Sequence, residues 1–181
     1  TSVMKKILVL FIAIISFVAL NAQSEQSTDV EKGIHKVNFI PVAYSYEARI
    51  AQAQTFMIQP SFGFNWISSS AAYPTMQLTS FYRYYYNFDK RNAKGKRTIK
   101  NSANYFGAMM SFSFWNAAWS GNVTSEDYIP YWAAGPVWGI QRNYRSHFSL
   151  GLTLGPMLSV GNKGFRADGY FELTLGFWLG R

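Results

Sequence analysis

Cysteine is absent from the 181 residues. That excludes disulfides, thiolate metal sites and a lipid-anchored cysteine. Histidine is nearly absent. His35 and His147 stand far apart and form no ligand pair at helical spacing. Charge is scarce too: Asp, Glu, Lys and Arg make up 14% of the chain, against about 25% in an ordinary soluble domain. No apolar run reaches the ~20 residues that a spanning helix needs, and mean hydropathy is only −0.06, which excludes a helical membrane protein. Aromatic residues, in contrast, are abundant at 18%. A charge deficit beside an aromatic excess fits a protein whose outer surface meets lipid.

The chain starts with a leader pattern. Met4-Lys5-Lys6 is followed by an almost wholly apolar stretch at 7–20 and then Asn21-Ala22-Gln23. A basic start, a short apolar run and a small residue make a secretory signal peptide. It is expected to span 1–22, with residues 1–3 upstream of the true start and cleavage after Ala22. Cleavage removes Lys5 and Lys6 and leaves the mature chain basic. Residues 23–33 are polar and aperiodic, a flexible lead-in. Residues 34–181 form one domain.

Within that domain apolar and polar residues alternate. At 170–181 the chain reads YFELTLGFWLGR. Phe171, Leu173, Leu175, Phe177 and Leu179 share one face; Tyr170, Glu172, Thr174, Gly176, Trp178 and Gly180 share the other. Period two is the mark of a strand. One face is unbroken grease, and the other is small and mostly uncharged. The same pattern recurs at 37–49, 55–66, 75–86, 104–118, 129–141 and 148–160, with Pro41 marking a bend. Seven strands are thus clear, and an eighth is expected from about 33 to 40, rising before Pro41. Loops are expected at 67–74, 119–127 and 161–168 on one side. Turns at 48–54, 87–103 and 142–147 are expected on the other. Apolar-out, polar-in strands of this length predict an all-β, closed, antiparallel up-and-down transmembrane barrel of eight strands, in the outer membrane.

The run YRYYYNFDKRNAKGKR at 82–97 and the stretch SYEARI at 45–50 resemble small outer-membrane β-barrel proteins of Bacteroidota. The Ala22-Gln23 junction is similar to the cleavage sites of those bacteria. The resemblance implies an eight-stranded architecture like that of OmpA- and OmpX-type barrels, with no established activity for most members.

Three groups of residues stand out. Glu47, Arg83 and Glu172 fall on the inward faces and are expected to form an ion-pair network that plugs the lumen, because buried charge is costly unless paired. Lys90, Arg91, Lys94, Lys96, Arg97 and Lys100 cluster in one connector. They are expected to be a solvated basic loop that meets anionic headgroups or an acidic periplasmic partner. A phosphate-cradling loop is excluded there, since Arg97 follows Gly95-Lys96 where Ser or Thr is needed. Tyr82, Tyr84, Tyr86, Trp66, Trp132 and Trp138 are expected in an interfacial aromatic girdle.

No cofactor or metal is implied. No nucleophile accompanies His35 or His147, so no enzyme is predicted. Nucleic acid is not expected as a partner, because the basic charge is confined to one connector and no stacking platform is present. The expected partners are outer-membrane lipid and lipopolysaccharide, with a possible periplasmic protein; the chain is read as a monomer. The rival from another class is a soluble lipocalin-like carrier, which would line its cavity with these same apolar residues. A lipid-modifying enzyme is a second rival.

Overall fold

The computed structural model describes residues 29–68, 71–116, 131–161 and 164–180. At 64–68, 71–74, 114–116 and 131 only the backbone is described. The signal segment, the lead-in up to 28 and the predicted loop at 119–127 lie outside the described residues.

The described chain is all-β. Eight strands follow in order: β1 Gly33–Ile40, β2 Val42–Ala51, β3 Gln54–Ser68, β4 Ala71–Tyr84, β5 Asn104–Asn116, β6 Tyr131–Asn143, β7 Phe148–Gly161 and β8 Gly164–Leu179. Each pairs antiparallel with its neighbours in sequence, and β1 pairs with β8, so the sheet closes into a ring. The expected eighth strand is β1, and Pro41 takes the turn into β2.

Alternation decides which side chains face the interior. Ile34, Lys36 and Asn38 on β1 are buried, as are Ala43, Ser45 and Glu47 on β2. Thr55, Met57 and Gln59 on β3, and Thr79, Phe81 and Arg83 on β4, continue the inner surface. The residues between them point outward and are large and apolar: Val42 is 60% exposed, Leu158 64% and Phe171 72%. The polarity of an ordinary soluble protein is reversed, with grease outside and Lys, Glu, Arg, Gln and Thr within.

Two expected loops are shorter than predicted. β3 runs to Ser68 and β4 starts at Ala71, so pairing continues through most of 67–74. β8 starts at Gly164, paired with Gly161, where a loop to 168 was expected. Glycines and charged residues there conceal the alternation, because both faces of the hairpin are exposed from Gly164 to Gly169.

The 85–103 connector also differs from a solvated loop. Phe88–Ala93 forms a short helix, α1, and Ile99–Asn101 a 3₁₀ turn. Gly95, at φ +63°, ends α1. Its left-handed backbone lets Lys96 N–H donate to Arg91 O at 2.9 Å, the closing bond of a Schellman cap. Phe88, Thr98, Asn101, Ser102 and Ala103 are all buried. The connector therefore folds as a plug over one end of the ring.

The strands are unequal. β1 and β2 have 8 and 10 residues, the others 13 to 16. The last β1 pair towards the far end is Ile40 with Leu175, and the last β2 pair is Val42 with Phe62. Beyond the Pro41 turn, β8 and β3 continue without β1 or β2 between them.

Candidate functional site: the paired charges and the plug

Glu47 is the hub of the interior. It projects inward from β2, is 1% exposed, and accepts from Thr55 Oγ1 at 2.8 Å, Tyr85 hydroxyl at 2.5 Å and Asn101 Nδ2 at 3.0 Å. Two cations flank it: Lys36 Nζ at 3.4 Å and Arg83 Nη1 at 3.7 Å. Gln141, from β6, ties these together. Its Oε1 accepts from Lys36 at 2.6 Å and from Arg83 at 3.0 Å. Its Nε2 faces Glu47 Oε2 at 3.4 Å and the carbonyls of Lys100 and Asn101 at 3.2 and 3.3 Å. Buried charges are tolerable only with this density of partners.

Aromatic rings line the other side of Arg83. Its guanidinium lies 4.5 Å from the Tyr105 ring centre and 4.9 Å from that of Phe81. Gly139 makes room for this arrangement, since a Cβ there would strike the Tyr105 ring and the Leu152 carbonyl. Met57, Phe81, Met109 and Val137 form an apolar cluster with Tyr85 and Tyr105. Phe81 then meets Tyr170, with ring centres 6.3 Å apart.

Of the three predicted network residues, Glu47 and Arg83 form an ion pair, while Glu172 lies within electrostatic reach of Arg83 but beyond ion-pair distance. Glu172 accepts instead from Gln59 Nε2 at 2.7 Å. Lys36 takes the place expected of a third ionic member. Its signal was available in sequence, since it falls in phase with Ile34 and Asn38. The phase could be read only once β1 was accepted as a strand. Lys36 and Arg83 thus share one carboxylate, Glu47, at 3.4 and 3.7 Å.

The plug is bolted to this cluster. Asn101 donates to Glu47 and accepts from Glu31 N–H at 2.7 Å. The carbonyl of Lys100 accepts from Gln141 and from Asn143 Nδ2. These bonds hold Lys100 and Asn101 at φ 49° and 62°, a left-handed region that costs a non-glycine residue about 1 kcal/mol or more.

The basic connector is accordingly divided. Lys90, Lys94 and Lys96 are exposed, Arg91 and Lys100 half-buried, and Arg97 buried. Arg91 donates to the carbonyls of Ser102 and Arg97, both at 2.9 Å. Arg97 stacks over Tyr144 at 5.3 Å. Burial pushes both guanidinium groups below the ordinary arginine range, with Tyr144 acting in the opposite sense. Lys100 lies over the Trp178 ring at 5.1 Å and 3.7 Å from Glu31. Three of the six residues thus anchor the plug, and three face solvent.

Tyr82, Tyr84, Tyr86 and Trp132 point outward and are exposed. Trp138 is half-buried and donates from Nε1 to Tyr86 hydroxyl at 3.2 Å. Trp132 stacks on Phe112 towards the far end. Trp66 lies opposite Ala72 on β3, its side chain outside the described set.

Both histidines pack against aromatic rings. His147 occupies the β6–β7 turn, stacked on Trp178 at 4.1 Å. His35 Nδ1 pairs with Tyr44 hydroxyl at 2.5 Å. Among the described residues no group of three or more His, Cys, Asp or Glu could hold a metal ion. No family model, curated protein or solved structure matches this chain.

Proposed function

We infer that the chain is a non-enzymatic outer-membrane β-barrel protein with a structural or interaction role, its lumen filled by side chains and closed at one end. The observation that carries this reading is the inverted polarity of the ring. Val42, Phe106, Leu158 and Phe171 stand more than half exposed, while Lys36, Glu47 and Arg83 are at most 5% exposed. Water penalises that arrangement and hydrocarbon rewards it. Strands of 13 to 16 residues, at ~3.3 Å per residue and ~40° tilt, give roughly 33–40 Å of height, enough for an apolar band of ~25 Å. A lipocalin-like carrier needs the opposite arrangement, with its apolar side chains lining the cavity.

In this reading lipid and lipopolysaccharide cover the outward face, and Tyr82, Tyr84, Tyr86, Trp132 and Trp138 sit towards its borders. The start of β1 and the end of β8 lie together at the plug end, and in this reading that end faces the periplasm. Lys90, Lys94 and Lys96 there present positive charge to an acidic partner or to lipid phosphate. In this reading the protein is a monomer. Membrane fractionation with a heat-modifiable gel shift tests the proposal. The expected result is recovery in the outer membrane and faster migration of unheated protein. Recovery in the soluble periplasm with no heat-dependent shift would overturn it.

A further inference from the structure

At the plug end of the outer wall, two arginines are held within electrostatic reach of each other. Arg142 is the last outward residue of β6, since Gln141 and Asn143 on either side of it are buried. Its Nη1 donates to Gln141 O at 2.7 Å and its Nη2 to Asn104 Oδ1 at 2.6 Å. Asn87 brings Arg91 of α1 to the same place. Its carbonyl accepts from Arg91 N–H at 2.9 Å, and its Oδ1 accepts from Asn104 N–H at 2.8 Å. Arg91 then acts repulsively on Arg142, and Tyr144 lies within electrostatic reach of both.

Both guanidinium groups have only neutral acceptors. Arg91 donates to two carbonyls, and Arg142 to a carbonyl and a side-chain amide. Among the described residues neither belongs to an ion pair, and Asp89, the acid on α1, is exposed. A guanidinium carries five N–H donors, so each has more to offer. Two half-buried like charges with neutral acceptors alone are unfavourable without a counter-ion. The wall beside them selects the kind of anion. Towards its middle, Phe106, Trp138 and Leu154 form one outward row across β5, β6 and β7, and Phe106 and Leu154 are exposed. Tyr86 joins the row to the cations, its hydroxyl accepting from Trp138 Nε1 at 3.2 Å and from Asn104 Nδ2 at 3.3 Å. Cations at the rim with apolar side chains next to them match a lipid with its phosphate at the rim and its chain along the wall. A free anion would use the first and leave the second bare.

We propose that Arg142 and Arg91 form a headgroup site for one anionic glycerophospholipid, with its phosphate on the two guanidinium groups and an acyl chain over Trp138. The proposal rests on the membrane reading above and names a lipid for its plug-side border. The solvent-facing Lys90, Lys94 and Lys96 are not part of the site. Native mass spectrometry of the protein in mixed micelles of phosphatidylcholine and phosphatidylglycerol counts the lipids retained. A parallel sample tests insertion into phosphatidylcholine vesicles by the heat-modifiable shift. One phosphatidylglycerol should be retained in preference to phosphatidylcholine. Arg142→Gln should weaken retention roughly tenfold, as loss of one charge-assisted hydrogen bond predicts. Lys94→Gln removes the same charge from the solvent face and should leave retention within about twofold. Arg142→Lys keeps the charge without the planar fork; it should fall between the two, and it carries the test if Arg142→Gln fails to fold. Equal retention of both lipids overturns the site. So does equal weakening in Arg142→Gln and Lys94→Gln, the mark of diffuse surface charge. Displacement of the lipid by inorganic phosphate at the same concentration would assign the cations to a free anion and overturn the lipid. Normal insertion without a preference for phosphatidylglycerol sinks this site alone, whereas failed insertion sinks the membrane reading and the lipid site together.

Discussion

Consider what a single substitution leaves behind in the interior. Arg83→Ala removes one of two cations from Glu47, a donor from Gln141 and the stack on Phe81 and Tyr105. Lys36 remains, so Glu47 is not stranded, and the loss should sit near the low end of the ~3–5 kcal/mol for breaking a buried pair. Glu47→Ala is worse. It leaves Lys36 and Arg83 facing each other without a carboxylate, and removes the acceptor of Thr55, Tyr85 and Asn101. Urea unfolding in detergent, followed by tryptophan emission, should rank Glu47→Ala below Arg83→Ala, and both below wild type. Conductance should change little in Arg83→Ala, because Phe81, Tyr85, Met109 and the plug still fill the ring. Bilayer recordings with a large new pore at unchanged stability would contradict this.

Elements differ in how readily their sequences reveal them. β7 was legible because Leu150, Leu152 and Leu154 alternate with Gly151 and Thr153, one face greasy and one small. The outer part of β8 was not, since Phe165, Arg166, Ala167 and Asp168 are exposed on both faces and nothing enforces a period of two. The plug was hidden for another reason. A helix of six residues is too short to show a 3.6-residue period, and its anchoring comes from β2, β6 and residue 31, all distant in sequence. The six cations of the connector looked equivalent, and only the fold separates Arg97 from Lys94. Gly95 was the one local sign, a residue suited to end a helix. Gly95→Ala should cost about 1 kcal/mol at φ +63°, confined to the plug. Limited trypsin digestion should then cut at Lys90, Lys94 or Lys96 faster than in wild type, while the heat-modifiable shift of the ring stays the same. Equal cleavage rates would mean that the Schellman turn does not hold the connector.

For the molecule as a whole, the outward face is where lipid and water make opposite demands. Leu78 is mid-way along β4, points outward and is 43% exposed; Tyr84 ends the same strand at 45%. In a soluble protein, exposed positions of this kind tolerate arginine within about 0.5 kcal/mol. In a bilayer the cost depends on depth: roughly 2–4 kcal/mol at the midplane, falling to about 0–1 near the interface. Leu78→Arg and Tyr84→Arg therefore separate the two environments with one strand and one side chain. Neither substitution touches the Glu47 cluster, because both side chains point away from the ring. Refolding into phosphatidylcholine vesicles, read by urea titration, should show Leu78→Arg losing about 2 kcal/mol or more and Tyr84→Arg much less. A gradient of that sign requires hydrocarbon against the middle of β4 and headgroups near its plug end. If the two variants match wild type within error, the greasy face meets water or another protein surface, and the outer-membrane reading fails even though the closed ring stands.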